Sequence, residues 1–159
     1  MTTELQPGDK APDFDLETGG GGRARLGDFA GKSLVLYFYP KDDTPGCTTE
    51  AQGFSAAAGD FAKAGAAVLG VSKDTAKKHE RFAAKYELAI PLGSDPEGEM
   101  IERCGAWVEK SLYGRKYMGI DRSTFLIGPD GRIVRIWRKV KVPGHVQAVL
   151  EAVLEAAKG

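Results

Sequence analysis

The chain has 159 residues, and its 22 basic and 22 acidic side chains give a formal net charge of zero. A chain without excess positive charge offers no electrostatic reason to expect a nucleic-acid partner. Its length predicts one domain, residues 1–159, that buries about two-thirds of the surface of the unfolded chain. With two cysteines in all, no disulfide framework is expected, and this usage is typical of a reducing compartment.

Targeting and membrane segments are not expected. The first ten residues lack the basic start and the apolar core of a secretory signal peptide. The longest apolar run, residues 34–39, is far shorter than the roughly 20 residues of a membrane span. The basic stretch 132–141 is interleaved with apolar side chains, which is typical of a strand with one solvent-facing side. We therefore expect a cytoplasmic protein without a membrane or nucleic-acid partner.

The first third of the chain predicts a hairpin, a buried strand and a helix. Residues 13–16 and 23–26 alternate polar and apolar side chains around a glycine run, which indicates a small N-terminal β-hairpin. Residues 34–39 are continuously apolar, as in a parallel strand covered on both faces. Thr44 followed by Pro45 predicts a helix start, with a hydroxyl at the N-cap and a proline at the first helical position.

The rest of the chain alternates predicted strands and helices. The helix that follows Thr44 is expected to end near Gly65. A later predicted helix carries Ile101, Cys104 and Val108 at helical spacing. After Gly65, the predicted elements are a strand at 66–71, a helix at 75–86, a short strand at 90–92, a helix at 97–107, a hairpin with strands at 124–127 and 133–137, and a last helix that begins at His145.

This order of elements predicts the fold class. Strand, helix, strand and helix, followed by an antiparallel hairpin and a closing helix, is the order of a thioredoxin-like α/β fold. The right-handed crossover rule makes the first two central strands parallel. A fold of this type does not determine the function, so the functional prediction depends on the residues of the site.

Cys47 lies at the third position of the helix that is predicted to begin at Pro45. There its sulfur can meet unpaired backbone N–H groups and the positive end of the helix dipole. Both favour the thiolate, which is the nucleophilic form of cysteine. Thioredoxin-like disulfide exchangers carry a second cysteine three residues after the first, but this position is Glu50. The sequence therefore predicts a nucleophile that does not use a local dithiol.

Several motifs together resemble the peroxiredoxins. The pattern Pro40-x-x-x-Thr44-x-x-Cys47 resembles the active-site signature of that family. Further stretches resemble its bacterioferritin comigratory protein branch, also called peroxiredoxin Q; they are residues 38–40, 45–50, 121–127 and 137–145. The resemblance implies a thioredoxin-like fold with an N-terminal β-hairpin extension and an inserted helix. It also implies a thiol peroxidase for hydrogen peroxide and organic hydroperoxides that needs no metal, haem or flavin cofactor.

The same resemblance implies roles for residues around Cys47. Thr44 would supply a hydroxyl to the sulfur and the peroxide, Arg122 a cation, and Pro40 a shield against water. Attack of a thiolate on a peroxide oxygen needs such donors for the negative charge that grows on the leaving oxygen. Two simpler interpretations stay open: Thr44 could serve as a helix cap alone, and Arg122 could be a surface cation. Glu50 is expected to make structural hydrogen bonds near the site.

The expected product is a Cys47 sulfenic acid, which a second thiol must reduce. Members of this branch carry a resolving cysteine at positions that correspond here to Gln52 or to residues 82–85, and neither position contains cysteine. Cys104 is the remaining candidate, but its apolar helical stripe favours buried packing. The resemblance then implies an external reductant, such as thioredoxin, glutaredoxin or a small thiol, and a monomer or weak dimer.

The two histidines are not expected to bind a metal. His79 lies in a charged helical stretch that is predicted to face solvent, and His145 begins the last helix. Neither has a second ligand at a metal-binding interval. Two rival functions remain on the same fold, a thiol–disulfide oxidoreductase and a non-catalytic peroxide sensor.

Overall fold

The computed structural model describes residues 4–158 of the chain. In this range the strands are β1 (Asp15–Thr18), β2 (Arg23–Arg25), β3 (Ser33–Phe38), β4 (Ala66–Ser72), β5 (Leu92–Ser94), β6 (Trp107–Leu112), β7 (Arg115–Ile120), β8 (Ser123–Ile127) and β9 (Ile133–Trp137). The helices are α1 (Pro45–Ala56), α2 (Ala58–Lys63), α3 (Ala76–Tyr86), α4 (Glu99–Arg103) and α5 (His145–Ala157). Of these helices, none has both the length and the apolar character needed to cross a membrane.

A seven-stranded sheet in the order β2-β1-β5-β4-β3-β8-β9 forms the centre of the fold. β3 pairs in parallel with β4, and β4 pairs in parallel with β5. The remaining pairs of this sheet, over the described residues, are antiparallel. The predicted parallel pairing of the first two central strands, which a helical crossover connects, is confirmed.

The predicted N-terminal hairpin is also confirmed, and it extends the central sheet. β1 pairs with β2, with Leu16 opposite Ala24, and β1 also pairs with β5. Leu16 and Ala24 are buried, whereas Asp15 and Arg25 are exposed, as the alternation of a strand requires. The hairpin therefore adds two strands to one edge of the thioredoxin-like core.

The central sheet carries a buried layer of side chains on each face. Because successive strand residues point to opposite faces, β3 sends Leu36 into one layer and Tyr37 into the other. The layer of Leu36 contains Cys104, and we call it the Cys104 layer. The layer of Tyr37 contains Cys47, and we call it the Cys47 layer. The sheet therefore lies between the two cysteine sulfurs.

The prediction of one long helix from Pro45 to near Gly65 is wrong in one respect, because two helices occupy this segment. α1 ends at Ala56, the backbone of Ala57 has φ −91° and ψ 0°, and α2 follows directly. The break falls within three consecutive alanines, which favour a helix and give no local signal for an interruption. It turns α2 so that Phe61 is buried in the Cys47 layer.

The helix predicted over 97–107 is wrong over its second half. α4 ends at Arg103, Cys104 caps it, and Gly105 follows with a left-handed φ of 69°, a conformation that commonly ends helices. The next residues form β6, so Val108 lies on a strand and shares no helical stripe with Cys104. Cys104 is nevertheless buried, as the sequence predicts.

β6 and β7 form a separate two-stranded sheet that the sequence pattern does not indicate. Tyr113 and Gly114 connect them, with φ values of 51° and 78°. Two consecutive positive φ values suit a two-residue hairpin turn, for which Asn-Gly is the usual sequence signal. Tyr-Gly is a much weaker signal, and most β7 side chains are exposed.

The short strand β5 is correctly predicted but lies two residues later than expected.

Gly70 of β4 lies opposite Tyr37 of β3, and the tyrosine ring occupies the space above it. A Cβ atom at position 70 would lie 2.6 Å from Tyr37 Cζ. The ring is held in place by stacking on Phe54, with 4.6 Å between ring centroids. Position 70 therefore has no room for a side chain.

We expect Gly70→Ala to lower the free energy of unfolding by about 1–3 kcal/mol, because the Tyr37 ring must shift within a packed layer. Urea denaturation at neutral pH measures this change. Gly59→Ala in α2 is the matched control, since a Cβ there meets open space; it should be neutral or stabilising by up to about 1 kcal/mol. Equal effects of the two variants would contradict the steric argument.

Candidate active site

Cys47 lies in the first turn of α1, where the sequence predicts it. β3 ends at Phe38, and residues 39–44, which we call the Cys47 loop, lead to the helix start at Pro45. Thr44 has the extended backbone of an N-cap residue, with φ −99° and ψ 155°. The Cys47 side chain is 1% exposed. The predicted helix start is therefore confirmed, and it places the thiol inside the protein.

Thr44 and Pro40, the other two residues of the motif, are half-buried in the Cys47 loop. The Thr44 hydroxyl donates a hydrogen bond to the Lys41 carbonyl at 2.9 Å. It accepts no hydrogen bond from the described first turn of α1, so its side chain does not act as the helix cap. The bond to Lys41 fixes the hydroxyl and leaves its lone pairs free to accept.

Arg122 contacts both Cys47 and Glu50. Its Nη2 lies 3.4 Å from Cys47 Sγ, and its Nη1 donates to Glu50 Oε1 at 2.6 Å. The pairing of β3 with β8 sets Phe38 opposite Ser123, so the residue before Ser123 lies beside the point where the chain leaves β3. The Arg122 side chain is only 17% exposed. It is therefore not a surface cation but part of a buried cluster with the thiol.

Glu50 is the most deeply buried charged residue of this cluster, with 0% exposure. Its Oε2 has no hydrogen-bond partner among the described residues. Burial raises the pKa of Glu50 to about 7, although the charge of Arg122 acts in the opposite direction. The predicted structural hydrogen bonding of Glu50 is therefore observed, and its charge changes near neutral pH.

An aromatic cluster closes the inner side of the site. Tyr37 stacks on Phe54, and Phe54 meets His145 edge to face with 6.1 Å between ring centroids. His145 Nε2 lies 2.8 Å from the Thr124 hydroxyl. Burial lowers the pKa of His145 to about 4, so the ring is neutral at neutral pH. His145 is a buried structural residue at the start of α5.

His79 is buried, so the prediction that it faces solvent is wrong. It is 1% exposed, its Nδ1 lies 2.6 Å from Asp42 Oδ2, and its Nε2 lies 3.0 Å from the Gly93 carbonyl. The charged neighbours of His79 in the sequence occupy the other sides of α3. His79, Phe82 and Tyr86 share one face at i, i+3, i+7 spacing, and this spacing is the signal that could have placed the histidine.

Asp42, Asp74 and His79 bring three possible metal-ligand atoms within 4.8 Å of one another. Each residue is already engaged, since Asp42 binds Tyr39 and His79, and Asp74 accepts from Ser72 and from the Asp42 backbone. A cation would have to displace these bonds. The group therefore fits a hydrogen-bond network better than a metal site.

The chain is similar to known proteins over most of its length. Residues 7–136 match the model of the AhpC/TSA family. The Peroxiredoxin Bcp of Bacillus subtilis (strain 168) is 45% identical over 158 residues, which cover 99% of each chain. The crystal structure of a Xylella fastidiosa PrxQ mutant has a TM-score of 0.92 at 41% identity, covering 98% of this chain and 99% of that chain. A Xanthomonas campestris bacterioferritin comigratory protein, described for its alkyl peroxide reduction activity, has a TM-score of 0.86 at 48% identity, covering 91% and 92%.

A thioredoxin-like fold with a buried thiol in the first turn of a helix, and with an arginine at the sulfur, defines a thiol-dependent redox protein. The chain belongs to the AhpC/TSA family and, within it, to the Bcp or peroxiredoxin Q group of peroxiredoxins. It is therefore a thiol peroxidase, and the predicted family and fold class are confirmed.

Glu50→Gln should change how stability depends on pH. The pKa of Glu50 rises from 4.5 to about 7 in the folded protein, so the stability linked to its bound proton is fully present below pH 4.5 and is lost as pH rises through about 7. The side-chain carbonyl of glutamine can accept the hydrogen bond from Arg122, but glutamine does not titrate. We expect the free energy of unfolding of Glu50→Gln, relative to wild type, to rise by about 3 kcal/mol between about pH 4 and pH 8.

Urea denaturation of both proteins across this pH range measures the difference. Glu97→Gln, at an exposed position, is the matched control, and its difference from wild type should be nearly constant. A constant difference for Glu50→Gln as well would contradict the burial of a titrating carboxyl group.

Proposed function

We propose that Cys47 is the residue that peroxide oxidises. The observation that carries this proposal is the position of the Arg122 guanidinium, 3.4 Å from the sulfur of a buried first-turn cysteine. A guanidinium at this distance stabilises negative charge on the sulfur and on oxygen atoms bound beside it. Its second nitrogen is held by Glu50, so the cation cannot easily rotate away from the thiol.

In the proposed reaction, the Cys47 thiolate attacks the terminal oxygen of the peroxide. The S–O bond forms as the O–O bond breaks, and the attacked oxygen keeps its hydrogen, so the sulfur becomes a sulfenic acid. The other oxygen leaves as hydroxide or alkoxide and takes up a proton to give water or an alcohol. Arg122 lies where the charge moves from the sulfur to the leaving oxygen, and this is where a fixed cation lowers the barrier most.

Thr44 and Pro40 are proposed to shape the peroxide pocket. The Thr44 hydroxyl spends its hydrogen on the Lys41 carbonyl, so it can meet a peroxide O–H only as an acceptor. Pro40 has no N–H group and, in its half-buried position, presents an apolar ring instead of a site for water. Together they would orient the peroxide and limit hydration of the thiolate.

Hydrogen peroxide and organic hydroperoxides are the proposed substrates. The support for organic hydroperoxides is the Xanthomonas campestris relative, which is described for its alkyl peroxide reduction activity. The proposed chemistry uses only the O–O group that both kinds of substrate share. It therefore requires no recognition of the rest of the molecule.

The sulfenic acid is proposed to be reduced by a thiol from another molecule. Cys104, the other cysteine of the sequence, lies in the buried layer on the opposite face of the sheet. A disulfide requires Cα atoms about 4.4–6.8 Å apart, and the intervening sheet stands against that approach. Burial also raises the pKa of Cys104 to about 12, so this thiol is a poor nucleophile at neutral pH. Cys104 is thus proposed to be a packing residue.

Thioredoxin, glutaredoxin or a small thiol is the proposed reductant of a monomer or weak dimer. The use of only two cysteines in the sequence, without a disulfide framework, is typical of a reducing compartment; the cytoplasm is therefore the proposed location. The chain is proposed to act as one domain. A local dithiol exchange is not supported, because Glu50 occupies the position that a second cysteine would need.

Cys47→Ser should lower the rate of hydrogen peroxide turnover, with dithiothreitol as reductant, by a factor of about 10³ or more, because it removes the nucleophile. Peroxide consumption measures turnover, and circular dichroism checks the fold. Cys104→Ala is the matched control and should keep most of the activity. Turnover also separates an enzyme from a sensor that is only oxidised once.

Mass spectrometry of the wild-type protein after one equivalent of peroxide tests which oxidised form Cys47 takes. We expect Cys47 sulfenic acid and, with excess peroxide, higher oxidation of the same sulfur. Near-normal turnover of Cys47→Ser would overturn the assignment of the nucleophile. A Cys47–Cys104 disulfide formed rapidly within one chain would instead overturn the external reductant.

Arg122 should be tested in a background where its removal leaves no buried carboxylate without a partner. We therefore compare Glu50→Gln/Arg122→Gln with Glu50→Gln alone. Loss of the cation should lower the second-order rate constant of Cys47 oxidation by a factor of about 10²–10³, measured by stopped-flow mixing with hydrogen peroxide. Arg115→Gln, at an exposed position, should leave this rate constant unchanged. An equally fast double variant would remove Arg122 from the proposed mechanism.

A further inference from the structure

The Cys47 loop is bonded to the rest of the protein through Asp42, a buried carboxylate with both oxygens engaged. Asp42 Oδ1 accepts the Tyr39 hydroxyl at 2.5 Å, and Oδ2 lies 2.6 Å from His79 Nδ1. Burial raises the pKa of Tyr39 far above its ordinary range, so its hydroxyl stays protonated and donates. The Asp42 N–H donates to Asp74 Oδ2 at 2.8 Å. The bond to Tyr39 lies within the loop, and the bonds to His79 and Asp74 attach the loop to the rest of the protein.

His79 is held at both ends of its ring. A carbonyl oxygen can only accept, so Nε2, 3.0 Å from the Gly93 carbonyl, carries a hydrogen. Nδ1 makes the 2.6 Å contact with Asp42 Oδ2. His79 thus bridges the Cys47 loop to β5 through its two ring nitrogens.

A second attachment joins α3 to the next residue of the loop. Asp43 has a left-handed φ of 60°, which is uncommon for a residue other than glycine. Its carboxylate accepts from the Tyr86 hydroxyl at 2.6 Å and from Lys85 Nζ at 2.8 Å. Both partners belong to the last turn of α3, so one helix holds two successive loop residues from its two ends.

The position of the loop determines the position of the sulfur. Asp42 is five residues before Cys47, and Thr44, at the end of the loop, provides the carbonyl that accepts the Thr48 N–H at 2.8 Å in the first turn of α1. The Arg122 guanidinium reaches the site from a different element, just before β8. The 3.4 Å contact between Arg122 and the sulfur therefore depends on how the loop is placed against the sheet.

We propose that His79 is a positioning residue of the peroxidase reaction: through Asp42 it holds the Cys47 loop, and with it the first turn of α1, in alignment with Arg122. The inference rests on the proposed role of Cys47. His79 does not touch the sulfur, and its effect is on the geometry in which thiolate, peroxide and guanidinium meet. Misplacement by about 1 Å at such a site can cost a factor of about 10² in rate.

His79→Phe removes both hydrogen bonds and keeps a ring of similar shape, so it is the main test. Two rate constants are measured at neutral pH and at a temperature where every variant is folded: oxidation of Cys47 by hydrogen peroxide, and alkylation of Cys47 by iodoacetamide. Alkylation needs a reactive thiolate but not the alignment of an O–O bond with Arg122. We expect His79→Phe to slow oxidation about ten- to a hundredfold and to change alkylation by no more than about threefold.

Ile101→Ala is the matched control for stability, because Ile101 is a buried residue of the Cys104 layer, on the face of the sheet opposite the Cys47 layer. It should lower the melting temperature but leave both rate constants within about threefold of wild type. His79→Gln, which can keep one of the two hydrogen bonds, is the second variant and should lie between wild type and His79→Phe. If His79→Phe does not fold, His79→Gln decides the question.

Three results would overturn the proposal. They are oxidation by the His79 variant within threefold of wild type, an equal loss of oxidation and alkylation, and a loss of oxidation in Ile101→Ala as large as that in the His79 variant. These results differ from the one expected if Cys47 is not the residue that peroxide oxidises. In that case, Cys47 of the wild-type protein would stay reduced when peroxide is added.

Discussion

The ion pair between Arg122 and Glu50 is the interaction on which the site depends. A buried carboxylate is costly unless a partner of opposite charge satisfies it, and here the partner also contacts the Cys47 sulfur. Glu50 and Cys47 lie one turn apart on α1, while Arg122 lies just before β8. Because β8 pairs with β3 and β3 leads into α1, the pair closes a ring of elements around the thiol. A rotation of α1 would break the pair before it moved the sulfur far.

The thioredoxin-like core places β3 between two strands that help to position the site, β8 on one side and β4 on the other. The parallel pairing of β3 with β4 places the carboxyl ends of both strands at the same edge of the sheet. Cys47 follows one of these ends, and Asp74 follows the other. The part-buried hydrogen bond from the Asp42 N–H to Asp74 Oδ2 then links the two connections. The site is therefore held from β8 on one side and from β4 and α3 on the other.

Local chemistry was enough to predict the part of the site that lies within one segment of chain. The apolar run of β3, followed by Thr44 and Pro45, specifies a strand and a helix start with little help from the rest of the protein. Arg122 is different, because its proximity to Cys47 results from the pairing of Phe38 with Ser123. Spacing alone does not distinguish Arg122 from other arginines, and the family resemblance selected it.

Two features were missed for physical reasons that can be named. Within residues 4–158, the β6–β7 hairpin pairs only with itself, so its strands have weak alternation, and its turn at Tyr113 lacks the usual residues. His79 sits among charged residues, and only the helical spacing to Phe82 marks its buried face. Its partner Asp42 lies 37 positions away in the sequence, where no local pattern connects the two.

The sheet that separates Cys47 from Cys104 determines the kinetic order of the proposed cycle. When a second thiol of the same chain can reach an oxidised cysteine, the disulfide forms at a rate that does not depend on concentration. In the proposed cycle, the oxidised sulfur instead waits for a collision with another molecule at every turnover. The lifetime of the sulfenic acid is then inversely proportional to the concentration of the external thiol. Under this proposal, an arrangement of packed layers makes the oxidation state of the protein follow the supply of reductant around it.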